Sequence, residues 1–385
     1  MREAAARRSP ASSLERLWRR PDPTPAERLL LTLLAPVEGA FRAVAALRGV
    51  LYDRGLLPAV RAGAPVISVG NLAVGGAGKT PVVMAIAARL LAAGRRPAVL
   101  SRGYGASSSA PRVVADGQRI LLPASEAGDE PFLLARRLPG LRVLCGPDRA
   151  ALARRAVESL GADVLLLDDG FQHRRLRRDL DVVVLDAGDP WGNGHCLPRG
   201  PNREPPEALS RAGLVWLTHA DRAGAGALAA LRELARRRTG RDPVESRHAP
   251  QGLLDASLTR AFGLDSLGGR RVAILSGVAR PGSVRQTVES LGAKVVLRRD
   301  YPDHHPFTLA EVDEALQAAA AAGAAWLLTT EKDAVRLPPE RVDDGRIRAL
   351  RIGAEVLAGE DALAEAIVLA MARRPGGVAG KGAGT

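Results

Sequence analysis

The chain has few cysteines and few aromatic residues, and each scarcity argues against a class of protein. The two cysteines, Cys145 and Cys196, lack metal-ligand spacing and are too few for a disulfide framework. A protein that faces the reducing cytosol is therefore favoured. Aromatic residues make up 3% of the 385 residues, which argues against the stacking platforms of single-stranded nucleic-acid binders. We expect no nucleic-acid partner.

The N-terminal region also lacks a long apolar run. Its longest uncharged run, residues 29–37, is far shorter than the roughly 20 residues of a spanning helix. Apolar residues nevertheless recur at helical spacing, which predicts an amphipathic helix within residues 26–58 that Pro36 could kink. Its apolar stripe could pack on the protein's own core or lie in a membrane interface. Residues 1–25, with paired arginines, serines and prolines, are predicted to be a disordered basic leader.

Positive charge exceeds negative charge by 13 at pH 7, and nearly all of the positive charge is arginine. Such an excess suits nucleic acid, anionic lipid or a polyanionic substrate. A GC-rich genome is an alternative source of part of it, because alanine and glycine are abundant as well.

The most informative segment is VISVGNLAVGGAGKTP, residues 66–81. An apolar strand leads through a glycine-rich turn into Gly-Lys-Thr, which is typical of a loop that binds the phosphates of a nucleoside triphosphate. The usual glycine five positions before Gly78 is replaced by Ala73. Backbone N–H groups would surround the phosphates, Lys79 would reach the β- and γ-phosphates, and the Thr80 hydroxyl would bind Mg²⁺. The nucleotide-binding residues predicted are Gly75, Gly76, Ala77, Gly78, Lys79, Thr80 and Pro81.

Two carboxylates, Asp168 and Asp169, end the apolar run of residues 164–167. Such a pair is common at a solvent-exposed strand end, but after a phosphate loop it favours Mg²⁺ binding opposite the loop threonine. Asp168 is the better Walker B candidate.

Apolar strands alternate with helical patterns, which predicts an α/β fold with a parallel sheet covered on both faces. The predicted strands are 96–100, 141–144, 163–168, 181–186, 214–218, 271–275, 294–297, 325–329 and 347–352. We predict a phosphate-loop domain over 59–240, a linker over 241–270, a smaller α/β domain over 271–373 and a disordered tail over 374–385.

Three polar clusters have ordinary explanations when each is taken alone. Asp129 and Glu130 would favour the start of a helix. Residues 303–305, Asp-His-His, have no third ligand at zinc spacing, although a histidine there could orient an aspartate of the first domain as a base. Residues 330–333, Thr-Glu-Lys-Asp, differ from the guanine-reading motif of GTPases because lysine and aspartate are adjacent.

Taken in order, these segments resemble the tetraacyldisaccharide 4'-kinases of lipid A biosynthesis over residues 29–372. The matching motifs are SVGNLAVGGAGKTP, SRGYG, GDEP, LLDDGFQHR, PRGPNREP, YPDHHPF and LTTEKDAVRL. The resemblance implies transfer of the γ-phosphate of ATP to the 4'-hydroxyl of tetraacyldisaccharide 1-phosphate. Arg199 and Asn202 differ from the family's more common residues, which affects substrate-side details only.

Carried over by position, the resemblance implies that Lys79 and Thr80 bind the triphosphate and Mg²⁺ and that Asp168 and Asp169 hold the metal. It implies that Asp129, paired with His304, is the base. Further residues would line the nucleotide or acceptor site: Tyr104, Glu130, His173, Arg203 and Glu204.

The resemblance further implies that the N-terminal helix seats the enzyme on the cytoplasmic face of the inner membrane, where it meets the lipid A disaccharide precursor. We expect a monomer. The alternatives are a switch or chaperone-like NTPase without a small-molecule acceptor, and a nucleic-acid-dependent ATPase. The missing guanine-specificity motif disfavours a GTPase switch, and the scarcity of aromatic residues disfavours the nucleic-acid-dependent ATPase.

Overall fold

The computed structural model describes residues 17–20, 22–103, 111–278 and 281–372. Tyr104, the predicted tail over 374–385 and most of the predicted leader lie outside the described residues.

Within the described residues, thirteen strands form one mixed sheet. In chain order they are β1 (Val66–Gly70), β2 (Pro97–Ser101), β3 (Arg112–Asp116), β4 (Arg142–Cys145), β5 (Val164–Asp168), β6 (Leu180–Asp186), β7 (Leu214–Thr218), β8 (Val244–Asp255), β9 (Ala261–Phe262), β10 (Arg271–Ser276), β11 (Lys294–Asp300), β12 (Trp326–Thr330) and β13 (Ile347–Ala358). Their order is β11-β10-β12-β13-β8-β7-β6-β1-β5-β2-β4-β3, with β9 paired to β8.

Eleven α-helices are described, and most of them cover the faces of this sheet. They are α1 (Pro25–Leu33), α2 (Ala35–Asp53), α3 (Lys79–Ala92), α4 (Ala124–Ala127), α5 (Asp129–Arg137), α6 (Arg149–Glu158), α7 (Ala225–Thr239), α8 (Pro281–Ser290), α9 (Leu309–Ala321), α10 (Glu331–Ala334) and α11 (Glu360–Ala372). The predicted α/β class is confirmed.

The centre of the first half is β1, which runs parallel to β5 on one side and β6 on the other. All residues of β1 and β5 are buried, because a parallel sheet with both faces covered leaves no strand face for solvent. The carboxyl ends of parallel strands meet at one edge. The phosphate loop and Asp169 follow β1 and β5 at that edge.

The two halves share this sheet through β8 and β13, which pair antiparallel and are 12 residues long each. β8 also pairs with β7, whereas β13 pairs with β12. The segment that the sequence suggests as a linker, residues 241–270, thus contains β8, a strand that pairs with a strand of each half. Its register shifts and irregular burial explain its weak periodicity. The division into domains stays a prediction.

The N-terminal helices α1 and α2 meet at a bend of 41°, with Pro36 in the first turn of α2. They expose large apolar side chains, including Leu29 at 61% and Leu33 at 67%. Among the described helices, none alone combines the length and apolar content of a membrane span, whereas the bent pair taken together meets both criteria, by length and composition only. The one buried side chain of α2 is Glu38.

Part of the predicted leader is packed against the rest of the chain. Leu17 and Trp18 are buried, and the indole N–H of Trp18 donates to the Pro198 carbonyl at 3.2 Å. Leu17 and Trp18 have large apolar side chains, and removing that apolar surface from water favours packing of this short segment.

Candidate active site

The phosphate loop connects β1 to α3 through two glycines with left-handed backbones. Gly75 has φ +112° and Gly78, directly before α3, has φ +78°. Side chains rarely adopt such angles, so glycine is required at both positions. Ala73, where the usual pattern has glycine, forms an antiparallel bridge with Asn202, an extended geometry that alanine adopts freely.

The loop residues differ in exposure along the loop. Gly75 and Gly76 are exposed, and Ala77, Gly78, Lys79, Thr80 and Pro81 are partly buried. The Thr218 hydroxyl donates to the Ala77 carbonyl at 2.9 Å, which ties the loop to the end of β7. The N-terminus of α3 directs its N–H groups toward the loop's concave side, where an anion would bind.

Lys79 is held by two acceptors on neighbouring strand ends. Its ammonium donates to Asn71 Oδ1 at 3.0 Å and lies 3.3 Å from Asp169 Oδ1. Asn71 was not predicted as a site residue, although it stands inside the SVGN motif. The contact fixes the lysine stem across the mouth of the loop.

Asp169 follows β5 with a left-handed backbone, φ +53°, and is held by two cations. Arg203 Nη1 donates to both of its carboxylate oxygens, at 3.0 and 2.8 Å. Although burial alone would raise it, Lys79 and Arg203 hold the pKa of Asp169 below its ordinary value. Asp169 is therefore ionised at neutral pH.

Asp168, one residue earlier, has the opposite electrostatic character. Its carboxylate is buried, with the Ser101 hydroxyl 3.4 Å away. Burial raises the pKa of Asp168 to about 7, and the nearby Glu130 and Asp169 charges add to the shift against Lys79 and Arg149. The site thus contains a carboxylate whose negative charge is poorly compensated by the protein.

These residues fit a bound Mg²⁺ ion. Magnesium usually takes one or two carboxylates, a hydroxyl or water, and substrate phosphate oxygens. Asp168, Asp169 and Thr80 offer that donor set, and a cation would relieve the desolvated charge on Asp168. Across the described part of the chain, no group of three or more His, Cys, Asp or Glu side chains is arranged to hold a metal ion; a cation here would therefore need oxygen donors from Thr80 and phosphate.

The segment 195–203 supports the phosphate loop from outside. Val74 N–H donates to the Pro201 carbonyl at 2.8 Å, and Arg203 N–H donates to the Leu72 carbonyl at 2.6 Å. The fully buried Asn202 donates to the carbonyls of Trp191 and His195. Asn202 and Arg199, which differ from the family's more common residues, thus both have structural partners. Arg199 pairs with the buried Glu38 at 3.4 Å.

Asp129 and His304 come from different halves and meet at the same edge. Asp129 begins α5 after Gly128, whose φ is +87°. His304 Nδ1 lies 3.1 Å from Asp129 Oδ2. His304 itself has a left-handed backbone, φ +60°, which costs a non-glycine residue about 1 kcal/mol or more. Strained residues of this kind cluster at active sites.

The loop that carries His304 is held by backbone and ring contacts. His304 N–H donates to the Gly277 carbonyl at 3.2 Å. The ring of His305 stacks on Tyr301, with centroids 4.5 Å apart, and its Nε2–H donates to the Glu311 carboxylate at 3.0 Å. The His-His pair therefore divides its roles, since His305 stabilises the loop and His304 points to Asp129.

The other predicted rim residues lie in two groups. Glu130 follows Asp129 on α5 and raises the pKa of Asp168 through its charge. Glu204 accepts from Arg211 at 2.7 and 3.0 Å and from Gln172 at 3.2 Å. Burial lowers the pKa of His173 to about 4, with Arg149 adding to the shift, so its ring is neutral at pH 7. Tyr104 lies outside the described residues.

The sequence did not indicate every residue that contacts this site. Lys332 and Arg336, which lie in the LTTEKDAVRL motif, approach His304 and Asp129. The sequence signal for Lys332 and Arg336 is the LTTEKDAVRL motif, which follows YPDHHPF in the family's order. Ser101, at the end of β2, was likewise visible only as part of SRGYG.

The family profile that matches this chain is that of the tetraacyldisaccharide-1-P 4'-kinases, over residues 30–372. A tetraacyldisaccharide 4'-kinase of Anaeromyxobacter dehalogenans strain 2CP-C is 64% identical over 92% of this chain and 95% of the relative. The corresponding protein of Syntrophus aciditrophicus is 43% identical over 84% of this chain and 89% of its own.

Among solved structures, the chain is similar to LpxK from Aquifex aeolicus, whose crystal structure is a complex with ATP. The TM-score is 0.72 at 32% sequence identity, and the match covers 89% of this chain and 99% of the other.

Proposed function

The chain belongs to the tetraacyldisaccharide-1-P 4'-kinase family, and we propose that the sheet edge around Lys79 and Asp129 carries out that family's reaction. It is an ATP-dependent kinase of lipid A biosynthesis, which transfers the γ-phosphate to the 4'-hydroxyl of tetraacyldisaccharide 1-phosphate. The observation that carries the mechanism is the contact of Asp129 with His304 beside a phosphate loop on the same sheet edge.

The triphosphate occupies the loop between Gly75 and Thr80. Backbone N–H groups at the start of α3 bind its β- and γ-phosphate oxygens, and Lys79 exchanges Asn71 and Asp169 for those oxygens. Because phosphoryl transfer depends mainly on positioning and charge neutralisation, this cradle supplies most of the catalysis.

Asp129 acts as the base. One of its oxygens, Oδ2, receives both the His304 contact at 3.1 Å and the Arg336 contact at 3.5 Å, so Oδ1 is assigned to the acceptor hydroxyl. The hydroxyl proton passes to Asp129 as the 4'-oxygen bonds to the γ-phosphorus and the bond to the β,γ-bridging oxygen breaks, releasing ADP. A placed base typically contributes roughly 10²- to 10⁴-fold.

Asp168, Asp169 and Thr80 would hold Mg²⁺. When bound there, Mg²⁺ would neutralise charge on the phosphate oxygens. Independently of the ion, Arg203 fixes the orientation of Asp169 through one guanidinium nitrogen, Nη1, that contacts both carboxylate oxygens. Arg149, buried beside Asp168, fixes the chain after β5 through the Asp168 carbonyl at 3.5 Å.

Glu130, His173, Arg203, Glu204 and Tyr104 are proposed to line the nucleotide or acceptor site. Glu130 lies nearest the base in sequence, whereas Glu204 and Arg203 follow the loop that supports the phosphate site. Each of these residues is assigned to the rim because its position in the sequence matches the family's motif.

The helices α1 and α2 are proposed to lie in the cytoplasmic face of the inner membrane. Support comes from their exposed leucines and valines and from a substrate that carries acyl chains. The chain is proposed to act there as a monomer, with no nucleic-acid partner.

The test is transfer of labelled γ-phosphate from ATP to tetraacyldisaccharide 1-phosphate in detergent micelles. Wild type should label the lipid, and Asp129→Ala and Lys79→Ala should lose most of this activity. Lys294→Met, which removes an exposed cation at the start of β11, is the matched control and should transfer normally.

Hydrolysis of ATP by folded wild type without lipid labelling would contradict the kinase mechanism. That outcome would favour the switch or chaperone-like NTPase. Stimulation of ATP hydrolysis by nucleic acid would favour the nucleic-acid-dependent ATPase.

A further inference from the structure

The segment Thr330–Arg336 brings two cations to the Asp129–His304 contact. It follows β12 and forms the short helix α10, which Thr330 caps by accepting from Asp333 N–H at 3.1 Å. Asp333 is fully buried and also accepts from Gly277 N–H at 3.1 Å. Gly277 is the residue whose carbonyl receives His304 N–H. The cations and the histidine are thus held by one connected set of backbone and side-chain contacts.

Lys332 contacts the side of the His304 ring that faces away from Asp129. Its ammonium lies 3.0 Å from His304 Nε2 and 3.2 Å from Asp303 Oδ1. The second oxygen of Asp303 is 3.9 Å from Nε2, beyond hydrogen-bond distance. Lys332 is therefore the direct hydrogen-bond partner of Nε2 among the described residues.

Arg336 lies on the Asp129 side of the pair. Its side chain is 7% exposed, and its Nε is 3.5 Å from Asp129 Oδ2. Nη2 pairs with Asp333 and donates to the Gly277 carbonyl at 3.2 Å, which holds the guanidinium in place. Asp129 thus has a fixed cation beside it in addition to His304.

The chemistry of the lysine contact determines where the ring proton lies. An ammonium group has three donors and no acceptor, so Nε2 must accept its hydrogen bond. In the neutral ring the proton is then on Nδ1, where it is donated to Asp129. A doubly protonated ring would direct an N–H at the ammonium and place two positive charges 3.0 Å apart.

We propose that Lys332 is a positioning residue that acts through His304: it fixes the ring as the neutral tautomer with the proton on Nδ1. His304 then presents a donor to Asp129 Oδ2, and the Asp129 carboxylate stays available to take the acceptor's proton. This inference rests on the proposed role of Asp129 as the base. It assigns a function to the LTTEKDAVRL motif, which the phosphate site does not use.

The competing role for Lys332 is direct binding of a substrate phosphate, since its side chain is 26% exposed. The two roles predict different kinetics. A residue that acts through His304 loses its effect when His304 is absent, whereas a phosphate-binding residue keeps it and changes KM.

The kinetic experiment is a double-mutant cycle of Lys332→Met and His304→Ala with labelled ATP and tetraacyldisaccharide 1-phosphate in micelles. Lys332→Met should lower kcat by about 10- to 100-fold, the usual cost of losing an orienting partner, with KM for ATP and lipid changed less than about twofold. In the His304→Ala background the same substitution should change kcat less than about twofold. Lys332→Arg, which keeps a charged donor, should retain most of kcat, and Lys294→Met should leave it unchanged.

The second experiment reads the tautomer directly by ¹⁵N NMR of histidine-labelled protein, with His304→Ala identifying the resonance among the six histidines. Wild type should show a protonated Nδ1 and an unprotonated Nε2. Since the Asp129 carboxylate still accepts from Nδ1 in Lys332→Met, this variant should gain a proton on Nε2, while its thermal melting point stays near that of wild type. This measurement needs no activity, so it separates the inference from the proposed function.

Several results would overturn the inference. They are a wild-type ring protonated on Nε2, an Nε2 that stays unprotonated in folded Lys332→Met, an equal loss of kcat with and without His304, or a rise in KM alone. If Lys332→Met does not fold, the wild-type tautomer and the activity of Lys332→Arg decide it. Loss of transfer in Asp129→Ala together with normal transfer in Lys332→Met would reject the inference and leave the proposed function standing.

Discussion

Asp168→Asn should stabilise the protein while removing its activity. The buried carboxylate has its pKa raised from 3.8 to about 7, first by burial and then by the neighbouring Glu130 charge. The native state therefore binds more protons at this site than the unfolded state does between those two pH values. Stability from this group falls as pH rises through that window and stays low above it.

The size of the effect follows from the shift. About three pH units at 1.36 kcal/mol per unit give an upper limit of ~4 kcal/mol, and coupling to Glu130 and Asp169 reduces it to ~2–4 kcal/mol. Asparagine keeps the shape of the side chain and carries no charge, so it removes this cost. The gain in stability should be small at pH 4 and reach its full value near pH 8.

The assay is urea denaturation at pH 4, 6 and 8 in EDTA without nucleotide, followed by circular dichroism, together with the lipid-labelling assay. Asp343→Asn, a change at an exposed carboxylate, is the control and should show no such pH-dependent gain. An Asp168→Asn protein that is less stable than wild type at pH 8, or a difference that does not vary with pH, would refute the reasoning.

Two further predictions concern the contact between the halves and the N-terminal helices. Glu331→Gln should cost about 3–5 kcal/mol of unfolding free energy, because it leaves Arg137 and Arg351, at 3.0 and 2.9 Å from the buried carboxylate, without their counter-charge. Urea denaturation measures this, with Glu314→Gln at an exposed ion pair as the control that should change by less than about 1 kcal/mol; equal effects would contradict the assigned burial. Leu29→Glu with Leu33→Glu should weaken binding to vesicles of anionic phospholipid by at least about 100-fold, since two leucines that each contribute about 1.5–3 kcal/mol when buried together contribute roughly 3–6 kcal/mol. Flotation measures this, and the exposed Leu357→Glu on β13 should bind as wild type does; unchanged flotation of the double variant would place the membrane contact elsewhere.

The strands around the phosphate site could be predicted because burial on both faces leaves a continuous apolar run. Residues 163–168 and 181–186 show such runs, and they coincide with β5 and β6 to within a residue or so at each end. The helix after the loop begins at Lys79, since the left-handed backbone of Gly78 cannot continue it backwards. The local pattern of apolar residues is sufficient to predict a strand when the whole strand lies in one environment, as these buried strands do.

β8 could not be recognised in the same way. It passes from the first half to the second and contacts three strands, so its burial follows no single period. Pro250 and Gly252 lie within it, and both residues are typical of turns. Its assignment depends on partners that are distant in the chain.

The site residues divide in the same way, into those that a local motif indicates and those that depend on partners distant in the chain. The positions of Lys79, Asp168 and Asp169 at the phosphate loop and at the end of β5 could be predicted, because each residue stands in a recognisable local motif, and their roles stay predictions. The contact of Asp129 with His304 was expected from the family resemblance, and the sequence alone offered capping as the explanation for Asp129. Glu38 was not predicted, because nothing local shows that a charged residue on a helix meets Cys196 N–H at 2.8 Å and Arg199 at 3.4 Å.

The shared sheet explains how a contact between the two halves can be precise enough to orient the base. His304 orients Asp129 only while the two lie within hydrogen-bond reach, and two domains joined only by a flexible linker would not hold 3.1 Å between them. Here α5 carries Asp129 at one end and Arg137 at the other, and Arg137 pairs with Glu331 at the start of α10. Since α10 also carries Lys332, the same short helix that anchors α5 contacts His304. Helix α5 therefore connects the buried Arg137–Glu331 ion pair to the base Asp129. A change at Glu331 should alter the geometry at Asp129 as well as the stability of the fold.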